Sequence, residues 1–195
     1  MTKSQKFLAT TLVLMACLTS PKKVEAPTVN RYYPPKFKTE ISIPAPENID
    51  YKTENFYQDS DRILLARMLL GEAESCPALE KIAIAYTAIN RMHDGKDWNG
   101  TTLQEVLLKP RQYSCFNPDI SARLKNPMAR NPKVFLECLR IAEGVLNRIY
   151  VDPTNRATHY LNPNHPDLRG KPLPSWTKTL EEIGRINNGY HVFYK

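Results

Sequence analysis

Residues 64–75 read LLARMLLGEAES, an apolar helical run that ends on two carboxylates, Glu72 and Glu74. Acidic side chains usually lie at helix N-termini or on the polar face, where the macrodipole and solvent favour the anion. At a helix C-terminus the dipole opposes negative charge, and neighbours such as Leu69 and Leu70 displace water; both effects favour the neutral acid. A carboxyl group that keeps its proton near neutral pH suits general acid chemistry, in which a departing oxygen, such as that of a glycosidic bond, must receive a proton. The same pair also suits a solvated corner between two helices, because structural acids have perturbed ionisation too. Spacing alone leaves both readings open.

Other groups with chemical potential are weaker. Asp152, in Asp152-Pro153-Thr154, is an alternative carboxylate partner, but an Asp-Pro pair after a long helix more commonly makes a turn. The four histidines, His93, His159, His165 and His191, fit no zinc spacing, and H-E-x-x-H is absent from the sequence, so neither a metal nor another cofactor is expected.

The elements that would position Glu72 read as mainly helical. Asp59-Ser60-Asp61 predicts the start of a helix before the run Ile63 to Leu70. A second helix opens at Ser75 with Pro77 in its first turn and carries Leu79, Ile82, Ala83, Tyr86 and Ile89 at helical spacing. Thr102-x-x-Glu105 is a capping box for a short third helix that stops before Pro110. The longest begins at Asn131-Pro132 and runs to about Tyr150, with Phe135, Cys138, Leu139, Ala142, Val145, Leu146 and Ile149 inward. Beyond Asp152 the pattern changes to a short extended run, ATHYLNP, and to IGRINNGYHVFYK, where Asn188-Gly189 between apolar residues signals a hairpin.

Upstream, Lys3 and Lys6 precede an apolar stretch from about Phe7 to Ala16, too short for a permanent span and read as an export signal. Its end, Leu14-Met15-Ala16-Cys17, resembles a bacterial lipobox and predicts lipidation of Cys17; cleavage after Ala26 is the rival. Residues 18–57 carry Pro21, Pro27, Pro34, Pro35, Pro44 and Pro46 without an apolar period and read as an extended tether. The expected organisation is a leader at 1–17, a proline-rich tether at 18–57 and one domain at 58–195. The chain of 195 residues has a formal net charge of +7, which favours an anionic partner. Its Lys and Arg residues are scattered rather than striped and no nucleic-acid motif occurs, so a nucleic-acid partner is set aside.

Taken in order, LLARMLLGEAESCPALEKIAIAYTAINRM, TTLQEVLLKPRQYSCFNP, CLRIAEGVL, DPTNRATHYLNP, PSWT and IGRINNGYHVFYK resemble the SleB-type cell-wall hydrolases, the spore-cortex-lytic enzymes with their phage and bacterial relatives. The resemblance covers about Arg62 to Lys195. It implies a lysozyme-like, mainly α (α+β) domain with a small C-terminal β-hairpin, and it places the family's catalytic glutamate, which opens an E-A-R-G-E motif, at Glu72. Here the motif reads Glu72-Ala73-Glu74-Ser75-Cys76, so Glu74, Ser75 and Cys76 stand where the family has arginine, glycine and its second glutamate. Like-charge repulsion between Glu74 and Glu72 would raise the pKa of one of them.

The implied activity is lytic transglycosylation of peptidoglycan between N-acetylmuramic acid and N-acetylglucosamine, with Glu72 as acid and then base. A non-catalytic peptidoglycan-binding lipoprotein and an amidase of the peptide stem are the alternatives. Family-matching Tyr113, Ser114, Thr158, His159 and Tyr160 are the candidate sugar contacts, with Gln112 and Asn162 nearby, whereas Trp176 reads as a core anchor. Setting Cys17 aside, the odd count of Cys76, Cys115 and Cys138 implies one disulfide and one thiol in an exported chain. Placement around the long helix, together with a similar pair in phage-type relatives, favours Cys115–Cys138. A monomer in the cell envelope or periplasm, membrane-anchored if Cys17 is acylated, completes the expectation.

Overall fold

An α-helix that is apolar on nearly every side must be enclosed by its neighbours, and α1 (Asp61–Ala73) is: Leu64, Leu65, Ala66, Met68, Leu69, Leu70 and Ala73 are all buried. A computed structural model describes residues 50–195, with α1 at the centre of its helical core. Helix α2 (Ala78–Met92) follows Pro77 and buries Ile82, Ala83, Ile84, Ala85 and Ala88. The short α3 (Leu103–Leu107) has the expected capping box, with Thr102 accepting from Glu105 N–H and the Glu105 carboxylate accepting from Thr102 N–H. A single turn, α4 (Pro127–Arg130), leads into α5 (Pro132–Leu146), which packs extensively on α1 and is capped by Asn131 through Val134 N–H at 3.3 Å.

Helix α5 ends earlier than its apolar pattern suggests. The Ile149 N–H turns back to Gly144 O at 2.8 Å, Arg148 adopts a φ of 56°, and Ile149 is 52% exposed. Tyr150 lies over Gly144, where a side chain would collide with its ring.

The C-terminal part is a three-stranded antiparallel sheet rather than a hairpin alone. Strands β1 (His159–Leu161), β2 (Glu182–Arg185) and β3 (Val192–Tyr194) are ordered β1-β3-β2, with Tyr160 opposite Phe193. Asn187 and Asn188 carry the β2–β3 connection at positive φ, which asparagine tolerates better than most residues. Trp176 packs with Leu161, Val192 and Tyr194 under this sheet, as a core anchor would.

The folded part begins before residue 58. Tyr51 is buried edge-on against Phe135, at 5.2 Å between ring centres, and Thr53 N–H donates to Lys125 O. Arg67 ties this segment down: its guanidinium, 1% exposed, donates to both Asp59 carboxylate oxygens, to Leu124 O and to Tyr51 O. Arg67 lies inside an apolar run and is tolerated there because its donors have partners.

Cys76, Cys115 and Cys138 are free, buried thiols, so the expected Cys115–Cys138 bridge is not formed. Cys115 is instead packed against Gly71, with its backbone N–H directed at Glu72. Among the described residues no helix is long and apolar enough to cross a membrane. The export signal, Cys17 and residues 18–49 of the expected tether lie outside the described residues.

Candidate active site

Glu72 stands in the last turn of α1, half-buried, where the helix runs out against the 3-10 turn Ser114–Phe116. Its Oε1 accepts two hydrogen bonds, from Cys115 N–H at 2.9 Å and from Ser114 Oγ at 3.1 Å. Its Oε2 faces the Tyr160 hydroxyl at 3.4 Å. Donors from a turn and a strand thus converge on one carboxyl group, orient it and leave its two oxygens unequal. Arg123 donates to Gly71 O at 3.2 Å, placing a guanidinium at the C-terminal end of α1, where the helix dipole favours a cation.

The approach of Cys115 depends on Gly71. A Cβ at position 71 would lie 2.4 Å from Cys115 Cβ and 2.9 Å from its Sγ. Gly71→Ala is therefore expected to destabilise the fold by about 1–3 kcal/mol, the usual range for overpacking, and to push the Cys115 N–H away from Glu72. Chemical unfolding and an activity assay on the same preparation check this; unchanged values in both would disprove the packing argument.

Tyr160 is held from behind. Its ring meets His191 edge-on at 5.2 Å and Phe193 at 6.1 Å. His191 is itself fixed by Glu80, whose Oε1 accepts from His191 N–H at 2.7 Å and lies 2.8 Å from its Nδ1. Burial opposes ionisation of Glu80, but the His191 side chain and backbone outweigh it and hold the carboxyl below its ordinary range. Neither Glu80 nor His191 stands out in the sequence as a site residue. They are 111 residues apart, and Glu80 reads there as an ordinary acid in a helix's first turn.

The other expected residues divide. Ser114 and Tyr160 both reach Glu72. Tyr113 is 2% exposed, with the Arg91 guanidinium 5.2 Å from its ring centre, so it supports the site from inside instead of meeting a sugar. Thr158 is likewise buried; its carbonyl accepts from Arg91 Nε, and its hydroxyl lies 2.9 Å from His159 Nδ1. His159 packs against Trp176. Glu74 turns away to Arg130 at 2.5 Å and Asn131 at 3.1 Å. Burial pushes its pKa up, yet those two partners bring it below the ordinary value, and the expected Glu72–Glu74 coupling gives way to this pairing. Asp152 accepts from Thr154, Arg156 and Asn90, the turn role its sequence suggested.

His159 gives the domain a pH signature. Burial, reinforced by Arg91 and Lys96, lowers its pKa from the ordinary 6.5 to about 4. Between those values the unfolded chain binds a proton that the folded chain refuses, so stability is complete above pH 6.5 and declines as the pH falls toward 4. His159→Gln is expected to flatten that slope in unfolding curves recorded across this window. An identical slope in the variant would assign it to other groups.

An orienting cage around one half-buried carboxyl group, on a helical core closed by a small sheet, is a framework for acid–base chemistry on a bound substrate. That chemistry has a setting: the model of the Cell Wall Hydrolase family matches residues 76–194, and the chain belongs to that family. The match begins at Cys76, just after Glu72. Two spore cortex-lytic enzymes of Bacillus cereus are each 26% identical over 151 residues, which is 77% of this chain and 50% of theirs; the chain thus spans about half the length of those relatives. The catalytic domain of the germination-specific lytic transglycosylase SleB from Bacillus anthracis superposes with a TM-score of 0.50 at 24% identity, covering 73% of this chain and all of that domain, and so shares the fold.

Proposed function

We propose that this chain cleaves the glycan strands of peptidoglycan, between N-acetylmuramic acid and N-acetylglucosamine, as a lytic transglycosylase acting outside the cytoplasm. The observation that carries the reading is the convergence of three donors on the Glu72 carboxyl: Oε1 accepts from Cys115 N–H and Ser114 Oγ and Oε2 accepts the longer contact from the Tyr160 hydroxyl, which orients the group and leaves Oε2 the less engaged oxygen for proton exchange with a substrate. That proton passes to the bridging oxygen as its bond to the muramic C1 breaks. The resulting carboxylate then takes the proton of the muramic 6-hydroxyl while that oxygen bonds to C1, which closes a 1,6-anhydro ring and restores the acid. One carboxyl group completes the cycle. Asp152, the alternative partner, and the neighbouring Glu74 are both engaged elsewhere in the domain. The cell-wall family and the fold shared with a lytic transglycosylase domain support the same substrate and bond.

The test is mass spectrometry of soluble products from purified peptidoglycan. Anhydro-muramic ends are expected. Products heavier by one water would instead mean hydrolysis, new stem-peptide termini would mean an amidase, and tight wall binding without any new ends would leave a binding protein.

A further inference from the structure

Beyond Glu72, the described residues bring together one group of metal-ligating side chains from distant parts of the chain. Cys76 lies just before α2, Glu80 in its first turn and His191 just before β3, and one ligand atom from each lies within 4.8 Å of the others. Thiolate, imidazole and carboxylate are the set that zinc-type cations take, with a fourth position left for water. Glu80 is 1% exposed; its Oε1 is committed to His191, whereas its buried Oε2 makes no well-formed hydrogen bond, the Cys76 thiol and the Tyr190 N–H being only loose donors to the carboxylate. A buried carboxylate oxygen held so loosely is costly and calls for a firmer partner.

The backbone around this point is built for close approach. Gly189 passes so near Glu80 that a Cβ there would lie 2.6 Å from Oε2. Arg185 holds the carbonyls of Gly189 and Tyr190 at 2.8 and 2.6 Å, keeping that loop in place. Lys81, the nearby cation, is engaged by Cys76 O at 2.7 Å and Glu137 at 3.3 Å.

We infer that Cys76, Glu80 and His191 form a binding site for a single zinc-type divalent cation, which clamps the last strand to the N-terminus of α2. Tetrahedral ligands around zinc stand roughly 3.3–3.6 Å apart, from bond lengths of about 2.0–2.3 Å. Coordination requires the Cys76 and His191 side chains to close the present 4.8 Å spread to that value. Glu80 Oε2 gains a firm partner, and the Cys76 thiol, which burial and Glu80 push up to about 12, gives its proton to solvent on coordination. One thiolate and one carboxylate then balance the charge of the ion. Because His191 packs on Tyr160, the clamp stiffens the strand that addresses Glu72, while taking no part in bond cleavage.

The experiment uses the full chain, washed with chelator and titrated separately with Zn²⁺ and Co²⁺. One equivalent is expected to bind, with a sulfur-to-cobalt charge-transfer band in the Co²⁺ form and a rise in Tm with Zn²⁺. Cys76→Ser should abolish the charge-transfer band. Cys76→Ser and Glu80→Gln should each weaken Zn²⁺ binding by more than about 100-fold, since loss of a supporting outer-shell group alone costs 10–100-fold. Circular dichroism confirms folding, and if Cys76→Ser fails to fold, Glu80→Gln carries the test. Failure of the folded wild type to take up either ion would overturn the site, as would uptake that survives in a folded variant. These readouts are independent of catalysis and leave the glycan-cleavage reading untouched.

Discussion

Glu72→Gln is expected to lower glycan-strand cleavage by about 10²–10⁴-fold, the contribution of a positioned acid–base group, without unfolding the domain. The amide oxygen can still accept from Cys115 N–H and Ser114 Oγ, and the amide nitrogen can donate to the Tyr160 oxygen, so the orienting contacts persist. Missing is the ability to give a proton and take it back. Equal loss in kcat and kcat/KM would show that the missing interaction belongs to the transition state. Glu74→Gln is the control: it breaks a part-exposed pair with Arg130, whose contribution is about 0–1 kcal/mol, and its effect on turnover should be far smaller. Near wild-type turnover by a folded Glu72→Gln protein would remove Glu72 from the mechanism.

The largest effect on stability is expected at Arg67. Replacing it with alanine leaves the Asp59 carboxylate uncompensated in a buried position, strips Leu124 O and Tyr51 O of a shared donor, and opens a void in the core. Breaking a buried ion pair by removing one partner costs about 3–5 kcal/mol, against a total stability of about 5–15 kcal/mol for a domain. Denaturant unfolding should show that loss, with early release of the segment around Tyr51. A change below about 1 kcal/mol would mean that water replaces the guanidinium without penalty.

Much of the helical framework is legible in the sequence because its signals are local. The capping box at Thr102 and Glu105, Asn131-Pro132 before α5 and the Asn188-Gly189 turn each act over a few residues, and each of these elements lies where its signal falls, whereas α2 opens at Ala78 instead of Ser75, with Pro77 at its N-cap and not inside its first turn. Glu72 is legible as a carboxylate at the end of an apolar helix, and the ordered family motifs single out Ser114 and Tyr160 beside it. Their contact with Glu72 spans 42 and 88 residues, so only packing brings it about.

What the tertiary structure alone decided is which side chain satisfies which buried group. Cys115 keeps a free thiol, packs closely on Gly71 and contributes its backbone N–H to Glu72. Glu74 turns toward Arg130, and Tyr113 goes inside beneath Arg91. Arg67 recruits Tyr51 and Asp59, drawing into the domain a segment whose composition reads as tether. Glu80 and His191 meet across 111 residues with no local signature at either end. The sequence by itself determines periodicity, caps and turns, because backbone propensity and side-chain spacing operate within a few residues. Partner choice in the core is a property of the closed fold, where each desolvated polar group must find the donor or acceptor that packing places beside it.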